Sequence, residues 1–336
     1  RRCGLADEGP GRWGAGGPTA SGDAGDAGDA GDVAQLAEAV RCGRPAVLRR
    51  GARDDASQAL VPRGLLGCGS ASADLVAQLR ALCGARDVVV RLPRPPRPWW
   101  QQVLSAAPCS GQQGGPLFGD ASASSPYAHA ERRRLSHVLD ELQGWEGTSA
   151  GGGPSGTPST ASRRVGCYLA NVPIEAELPE FAAVLAPLRR RVSASLGGRL
   201  GPVIPGTPTL YLGAGMQRTP LHFDPTENVT VVLQGTKHFR LFPPSASRLL
   251  RPRGGPLAAA ACWARGVVPA VYSDADAWSL PRGAASGPAP MDLDVGAGEV
   301  LYLPSCWWHA VAGSAEPNVT VVFAFAPSAP AAAAAP

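Results

Sequence analysis

One stretch of the sequence decides the fold: Thr219-Pro-Leu-His222-Phe-Asp224-Pro-Thr-Glu-Asn228-Val-Thr-Val-Val-Leu-Gln-Gly-Thr-Lys237-His-Phe-Arg-Leu-Phe-Pro-Pro244. His222 and Asp224 stand two residues apart in a segment with the composition of a β-strand. Successive side chains of a strand point to opposite faces, so residues two apart share a face. An imidazole and a carboxylate are therefore predicted to converge.

The second half of this stretch, Asn228 to Gln234 followed by Lys237 to Phe242, predicts a β-hairpin with Gly235 at its corner. Lys237 is the only lysine in the sequence, although arginine is frequent. One interpretation is that the site needs a compact ammonium on a flexible stem, which a forked guanidinium cannot replace. The alternative is an ordinary surface lysine in a hairpin.

A second histidine follows far downstream, in the apolar segment Val300-Leu-Tyr-Leu-Pro-Ser-Cys-Trp-Trp-His309-Ala-Val, which with Glu299 predicts one strand to Val311. Together with His222 and Asp224, His309 completes a set of two histidines and one carboxylate. That set is the facial triad that holds non-haem Fe(II) and leaves the opposite face open. The alternative for both histidines is an ordinary hydrogen-bonded position in a core.

The order of these elements resembles the JmjC family of Fe(II)- and 2-oxoglutarate-dependent oxygenases: His-x-Asp, a lysine on the next strand, then Pro-x-x-Trp-Trp-His. Within that family the chain is most similar to the small hydroxylases typified by the asparaginyl hydroxylase of hypoxia-inducible factor. The resemblance runs from about Val165 to Phe325. A weaker one, at Gly43 to Gly51, is to the entry strand of that group.

The resemblance implies that Fe(II) is bound by His222, Asp224 and His309, and that 2-oxoglutarate and O2 are cosubstrates. Lys237 would pair with the distal carboxylate of 2-oxoglutarate, since a buried dianion needs a cation and donors around it. The same resemblance places further residues in the cofactor shell: Thr219, Tyr168, Asn228 and Asn318. Tyr168 reads equally well as a half-buried aromatic on a strand. Both asparagines fall in Asn-x-Thr glycosylation sequons, which we discount because they lie in apolar strands.

Composition divides the chain into five regions. Residues 1–32 form a Gly/Ala/Asp near-repeat without the means to bury a core and are predicted to be disordered. Residues 33–146 alternate helical and strand patterns and predict an α/β scaffold, and 147–162 form a flexible Gly/Ser/Thr/Pro loop. Residues 163–328 predict the catalytic domain, with an Ala/Pro-rich insertion at 245–298 as a candidate substrate lid. The Ala/Pro tail, 329–336, is predicted to be disordered.

Several short strands with turn residues between them, from Thr209 to Phe325, indicate a sandwich or jelly roll. Helices are predicted from Asp32 to Val40, from Ser72 or Asp74 through Leu82, from Arg132 to Leu142 and from Leu178 to Leu196. The predicted fold class is therefore mainly β with flanking helices, built on a double-stranded β-helix (jelly-roll) core, which the family resemblance identifies as a cupin.

The formal net charge of +4 is small for 336 residues, and the arginines are scattered. Nucleic acid is therefore not an expected partner, except as a tRNA substrate. No apolar run reaches the length of a membrane span. The eight cysteines form no Cys-x-x-Cys pair and suggest free thiols rather than a disulfide framework, so we expect an intracellular protein of the nucleus or cytoplasm. The sequence begins at Arg1 without a methionine, so we expect a truncated N-terminus, from which targeting is not readable.

The expected function is hydroxylation of a side chain of a protein substrate, a histone or another peptide, with succinate and CO2 as co-products. Three alternatives stay open. If the oxidised carbon is an N-methyl, the product loses formaldehyde and the reaction is lysine demethylation. A modified tRNA nucleoside is a second substrate class. A catalytically inactive jelly roll that only binds a partner is the third alternative. The oligomeric state is left open.

Overall fold

A computed structural model describes residues 32–49, 60–61, 75–93, 127–143, 168–196, 198–214, 217–250, 271–273, 275–280 and 289–327. Of the predicted disordered or loop segments, 147–162 and 329–336 lie outside these residues, and so does 1–32 except for Asp32, which begins a helix. The helices precede most of the strands in the chain: α1 (Asp32–Cys42), α2 (Leu75–Cys83), α3 (Leu135–Gln143), α4 (Ile174–Glu177) and α5 (Pro179–Leu196). A 3-10 turn covers Pro244–Arg248.

The strands form two antiparallel sheets, as the jelly-roll prediction requires. Their bounds are β1 (Ala46–Leu48), β2 (Asp87–Pro93), β3 (Tyr127–Arg134), β4 (Tyr168–Pro173), β5 (Thr209–Gly213), β6 (Arg218–Phe223), β7 (Glu227–Gln234), β8 (Thr236–Phe242), β9 (Val271–Tyr272), β10 (Met291–Gly296), β11 (Val300–Leu303), β12 (Trp308–Gly313) and β13 (Asn318–Phe325). The large sheet has the order β1-β11-β7-β13-β5-β4-β2-β3. The small sheet has the order β10-β8-β12-β6-β9.

One face of the large sheet is covered by the helices and holds the main core. Along β7, Val229, Val231 and Leu233 point to this side and are buried with apolar residues of all five helices. Burial of each such side chain contributes about 1.5–3 kcal/mol. The described strands between residues 33 and 146 belong to the large sheet: β1 lies at one edge, and β2 and β3 extend the other edge.

The opposite face of the large sheet packs on the small sheet. Val232 from β7 and Leu301 from β11 meet Phe239 and Leu241 from β8 in a second apolar cluster. Asn228 and Thr230, on the same face of β7 as Val232, are buried as well. The space between the sheets is thus apolar in one part and polar in another, and the polar part holds the candidate site.

The predicted hairpin between β7 and β8 is wrong. The two strands are consecutive but lie in different sheets: β7 pairs with β11 and β13, whereas β8 pairs with β10 and β12. The chain crosses from one sheet to the other at Gly235, which has a φ of 74°. A side chain there would approach Asn318 Cβ to 2.7 Å, so both the backbone conformation and the close contact require glycine.

The predicted strand from Glu299 to Val311 is also wrong, because the structure divides it into β11 and β12 in opposite sheets. The chain turns at Pro304 to Trp307, where Cys306 has a φ of 64°. Glu227 holds this turn through one carboxylate oxygen, which accepts from Tyr302 Oη at 2.7 Å and from Ser305 N at 3.2 Å. Burial and the Glu227 charge raise the pKa of Tyr302 above its ordinary value.

Arg132 to Arg134 end strand β3 instead of opening a helix, and α3 begins at Leu135. Pairing of β3 with β2 over nearly its whole length outweighs the local helical pattern. Among the described cysteines, Cys42 and Cys83 are free, whereas Cys306 takes part in a disulfide, which differs from the expectation of free thiols. None of the described helices is long and apolar enough to cross a membrane.

Candidate metal and cosubstrate site

The structure brings His222, Asp224 and His309 together between the sheets. The two histidines face each other as a directly opposed pair on β6 and β12, with ring centroids 4.1 Å apart. Asp224 follows the last residue of β6, and its Oδ2 lies 3.8 Å from His309 Nε2. Ligand atoms of the three residues lie within 4.8 Å of one another, a spacing that one ion can bridge.

Hydrogen bonds to backbone carbonyls orient both imidazoles. His222 Nδ1 lies 2.7 Å from Pro220 O, and His309 Nδ1 lies 3.0 Å from Trp307 O. A carbonyl oxygen can only accept, so in each neutral ring Nδ1 carries the proton and Nε2 keeps its lone pair. Burial, and then the neighbouring His222, lower the pKa of His309 to about 4, so its ring is neutral near pH 7. A neutral imidazole that keeps the lone pair of Nε2 is the form that binds a metal.

Asp224 is held by its own neighbours. Asn228 Nδ2 donates to Asp224 Oδ2 at 2.9 Å, and Thr226 Oγ1 donates to Asn228 Oδ1 at 3.1 Å. The Cys306 N–H donates to the backbone carbonyl of Asp224 at 2.8 Å, which ties the carboxylate residue to the turn before β12. Asn228, predicted as a cofactor residue, therefore contacts the third triad member directly.

Lys237 projects from β8 into the same space and is only 2 % exposed. Its cross-strand neighbours, Val295 and Gly313, offer it no carboxylate. Burial alone lowers the pKa of Lys237 to about 7. No ion pair within the described part of the chain involves this ammonium, so a buried cationic group has no described carboxylate to balance its charge.

Tyr168 and Thr219, two more predicted cofactor residues, lie beside Lys237. The Lys237 ammonium is 5.3 Å from the centre of the Tyr168 ring. Burial raises the pKa of the Tyr168 phenol to about 12, against the effects of its hydrogen bond with Thr219 and of the charge on Arg91. Tyr168 is thus protonated at neutral pH, and its ring and hydroxyl border the space next to the ammonium.

Asn318 completes the predicted set on the large sheet and is fully buried. Thr320, two residues on and on the same face, has a buried Oγ1 without any hydrogen-bond partner. A buried hydroxyl without a partner costs about 1–3 kcal/mol, so it indicates a group that the chain itself does not supply. An orphaned hydroxyl and a buried ammonium on the walls of one space fit a dicarboxylate such as 2-oxoglutarate.

Two arginines of the small sheet, Arg218 and Arg240, make their contacts away from this space. Arg240 lies on the outer face of the small sheet and forms a two-point ion pair with Asp292, at 2.6 and 2.9 Å. Arg218 is exposed, with its guanidinium 5.7 Å from the centre of the Trp278 ring. Neither of the two replaces Lys237 as the cation of the site.

Part of the predicted insertion, 245–298, reaches the site. Its strand β9 pairs with β6, and Tyr272 stacks on His222 with ring centroids 5.2 Å apart and planes 18° from parallel. Its last strand, β10, is a regular member of the small sheet. The role of the insertion as a substrate lid stays a prediction.

The sequence analysis missed several residues of the site. Thr226, Tyr272 and Thr320 are described above. Tyr211 lies beside Tyr168, with ring centroids 6.4 Å apart, and the Gln217 amide lies 3.0 Å from Lys237 Nζ. For Thr320 a signal existed, because Asn318-x-Thr320 repeats the Asn228-x-Thr230 pattern and residues two apart share a strand face. Asn228 and Asn318 are both buried, which supports discounting the glycosylation sequons. For Gln217 and Tyr272 no local pattern distinguishes them from ordinary polar or aromatic residues.

Comparison with known proteins bears on this site. Residues 73–329 match the model of the family described as "Cupin-like domain". The chain is also similar to the lysine-specific demethylase JMJ32 of Arabidopsis thaliana, with 34% identity over 130 residues. That match covers 32% of this chain and 37% of the relative, so the chain spans little more than a third of the relative's length.

Proposed function

Since the chain belongs to the cupin-like domain family, we propose that it is an Fe(II)- and 2-oxoglutarate-dependent dioxygenase that hydroxylates a side chain of a protein substrate. The observation that carries the proposal is the pairing of two features in one buried space. One is the His222, Asp224 and His309 cluster, and the other is the Lys237 ammonium, which pairs with no carboxylate among the described residues.

Each group of residues in the site has its own role in this proposal. His222, Asp224 and His309 would hold Fe(II), which with 2-oxoglutarate and O2 supplies oxidation of a C–H bond, with succinate and CO2 as co-products. Three ligands on one side of a six-coordinate ion leave three positions open. Lys237 would bind the distal carboxylate, and Tyr168, Thr219, Asn318 and Thr320 border the same space. The Asp224 side chain is 27% exposed, which favours entry of the substrate from its side.

A protein substrate is supported by the relative, which is named a lysine-specific demethylase. The same name supports lysine demethylation as the second candidate, since hydroxylation of an N-methyl carbon releases formaldehyde. The likeness to the asparaginyl hydroxylase group stays a prediction from the sequence. A tRNA nucleoside remains a further substrate alternative, and an inactive binding protein is the alternative outside enzymes.

The proposal is tested by incubating the purified protein with Fe(II), 2-oxoglutarate and O2 and measuring succinate. We expect slow succinate formation without a substrate and faster formation with a protein substrate. Peptide libraries with and without N-methyl-lysine then separate the two candidates: a mass gain of one oxygen indicates hydroxylation, and formaldehyde with loss of a methyl group indicates demethylation. A protein that binds no Fe(II) and forms no succinate would leave the inactive binding protein as the correct alternative.

A further inference from the structure

Gln217 lies next to Lys237 and is 1 % exposed. It directly precedes β6, and its carbonyl accepts from Gly313 N at 2.9 Å. Two glycines make room for its side chain. A Cβ added at Gly213 would lie 2.9 Å from Gln217 Cδ, and one added at Gly313 would collide with the Gln217 amide.

The amide oxygen and the amide nitrogen both have partners when the oxygen faces Lys237. In that orientation Nε2 donates to Ala214 O at 3.1 Å, and Oε1 accepts from Lys237 Nζ at 3.0 Å and from Asn318 Nδ2 at 2.6 Å. A neutral acceptor is thus buried against the only lysine of the chain. The ammonium has three donors, and this hydrogen bond uses one of them.

We propose that Gln217 is a positioning residue for the cosubstrate: it orients the Lys237 ammonium through a neutral hydrogen bond, so that the positive charge stays available to the distal carboxylate of 2-oxoglutarate. This inference rests on the proposed function. A carboxylate at position 217 would neutralise the ammonium and repel the incoming anion. An apolar side chain would leave the ammonium without its acceptor and free to turn away. Only a neutral acceptor avoids both effects.

The other groups that face Lys237 support this assignment. From β10 and β12 it meets Val295 and Gly313, which do not titrate, and from β13 the Asn318 amide reaches it through Gln217. From β4 the Tyr168 ring faces it, with a phenol that stays protonated to about pH 12 and with the Arg91 charge beyond it. Burial lowers the pKa of Lys237 to about 7, and the Gln217 oxygen at 3.0 Å is an acceptor that can hold its proton.

The single lysine permits a direct test without metal or turnover. Protein labelled with ¹³C at lysine Cε gives one lysine resonance, whose pH titration reports the pKa of Lys237 in the wild type, Gln217→Glu and Gln217→Met. We expect Gln217→Glu to raise the pKa of Lys237 by about one unit or more, because an opposite charge favours the ammonium. Gln217→Met should lower it. Gln234→Glu is the matched control, since Gln234 bonds Leu75 N at the start of α2 instead, and it should move the pKa much less.

The second arm measures binding to the Fe(II)-loaded protein under nitrogen. The ligands are 2-oxoglutarate and 2-oxobutyrate, which has the same keto acid end but no distal carboxylate. Gln217→Glu should weaken 2-oxoglutarate binding by about tenfold or more, equivalent to one decade in Kd, and leave 2-oxobutyrate nearly unchanged. Gln217→Met should show the same selectivity with a smaller loss, which keeps the test valid if Gln217→Glu does not fold.

An unchanged pKa of Lys237 in both Gln217 variants, or equal losses for the two acids, would overturn the inference. Failure of the proposed function looks different: the wild type itself would then bind the two acids equally or not at all, whereas the lysine titration would still report the link between Gln217 and Lys237.

Discussion

Asn228 donates from Nδ2 to Asp224 Oδ2 at 2.9 Å, and is itself held by Thr226. This contact gives the predicted cofactor residue a second role, because it orients the carboxylate of the triad.

We predict that Asn228→Ala weakens Fe(II) binding by about 10- to 100-fold, the usual cost of removing a group that orients a metal ligand. Asn318→Ala is the control, because Asn318 Nδ2 donates to Gln217 and Asn318 has no described contact with the triad. It should preserve Fe(II) affinity and weaken 2-oxoglutarate instead. Competition with a metal-binding dye measures the first quantity. If both variants bind Fe(II) as the wild type does, Asn228 does not orient Asp224 in solution.

The triad itself gives the second prediction. His222→Ala or Asp224→Ala should abolish Fe(II) binding and succinate formation and leave the circular dichroism spectrum unchanged, because the fold is held by the apolar faces of its sheets. His238→Ala is the matched control: His238 lies on β8 and bonds Asp294 at 2.6 Å, away from the triad. Normal iron content in His222→Ala would show that the ligands are assigned wrongly.

Lys237→Ala should leave Fe(II) bound and weaken 2-oxoglutarate at least a hundredfold, because an unpaired buried anion costs about 3–5 kcal/mol. Lys237→Arg should also weaken 2-oxoglutarate binding, because the larger guanidinium must fit among Gln217, Gly313 and Tyr168. Titration of 2-oxoglutarate under nitrogen, followed by the metal-to-ligand absorption band, measures both. Arg218→Ala, an exposed cation nearby, should bind as the wild type does. Equal affinities in all four proteins would remove Lys237 from the site.

The pH dependence of stability offers a test without ligands. Burial lowers the pKa of Lys237 from 10.5 to about 7, so between these values the unfolded chain holds a proton that the folded chain has lost. Stability therefore rises with pH across this window, and below it the folded protein must bury the ammonium.

Compared with Lys237→Met, the wild type should gain about 3 kcal/mol of unfolding free energy between about pH 6.5 and about pH 9.5, from a differential of roughly 1.4 kcal/mol per pKa unit. Urea unfolding of both proteins at the two pH values measures the difference. An equal change in unfolding free energy in both proteins would mean that Lys237 keeps its ordinary pKa in the folded protein.

The crossing between the sheets can be tested at Gly235. Gly235→Ala must adopt a positive φ, which costs about 1–2 kcal/mol, and must also push against Asn318 and Pro317. Gly206→Ala isolates the first effect, because Gly206 has a φ of 85° but no atom near its added Cβ. In thermal unfolding, Gly235→Ala should therefore have a lower melting temperature than Gly206→Ala. Equal losses would show that the contact with Asn318 contributes nothing.

Local patterns were sufficient for much of this protein. The alternation of apolar and polar residues predicted the helices α1, α2 and α5 and most strands from Thr209 onward, except β9 and the division between β11 and β12, because side-chain periodicity follows directly from backbone geometry. His222 and Asp224 were predicted to converge because residues two apart share a strand face. The order of His222, Asp224, Lys237 and His309 was enough to indicate the family that residues 73–329 match.

The tertiary structure decided what depends on strand pairing. A hairpin and a crossing between sheets have the same local sequence at Gly235, and only the competing partners β10 to β13 determine that β7 and β8 separate. The same pairing divides the Glu299–Val311 segment and keeps Arg132 to Arg134 in β3. Contacts between residues distant in the chain, such as Gln217 with Lys237 and Tyr272 with His222, produce no periodic pattern in the sequence. Local patterns thus identify the side chains that could do the chemistry. The pairing of distant strands determines which of them meet, because contacts form between residues that are close in space, whatever their separation along the chain.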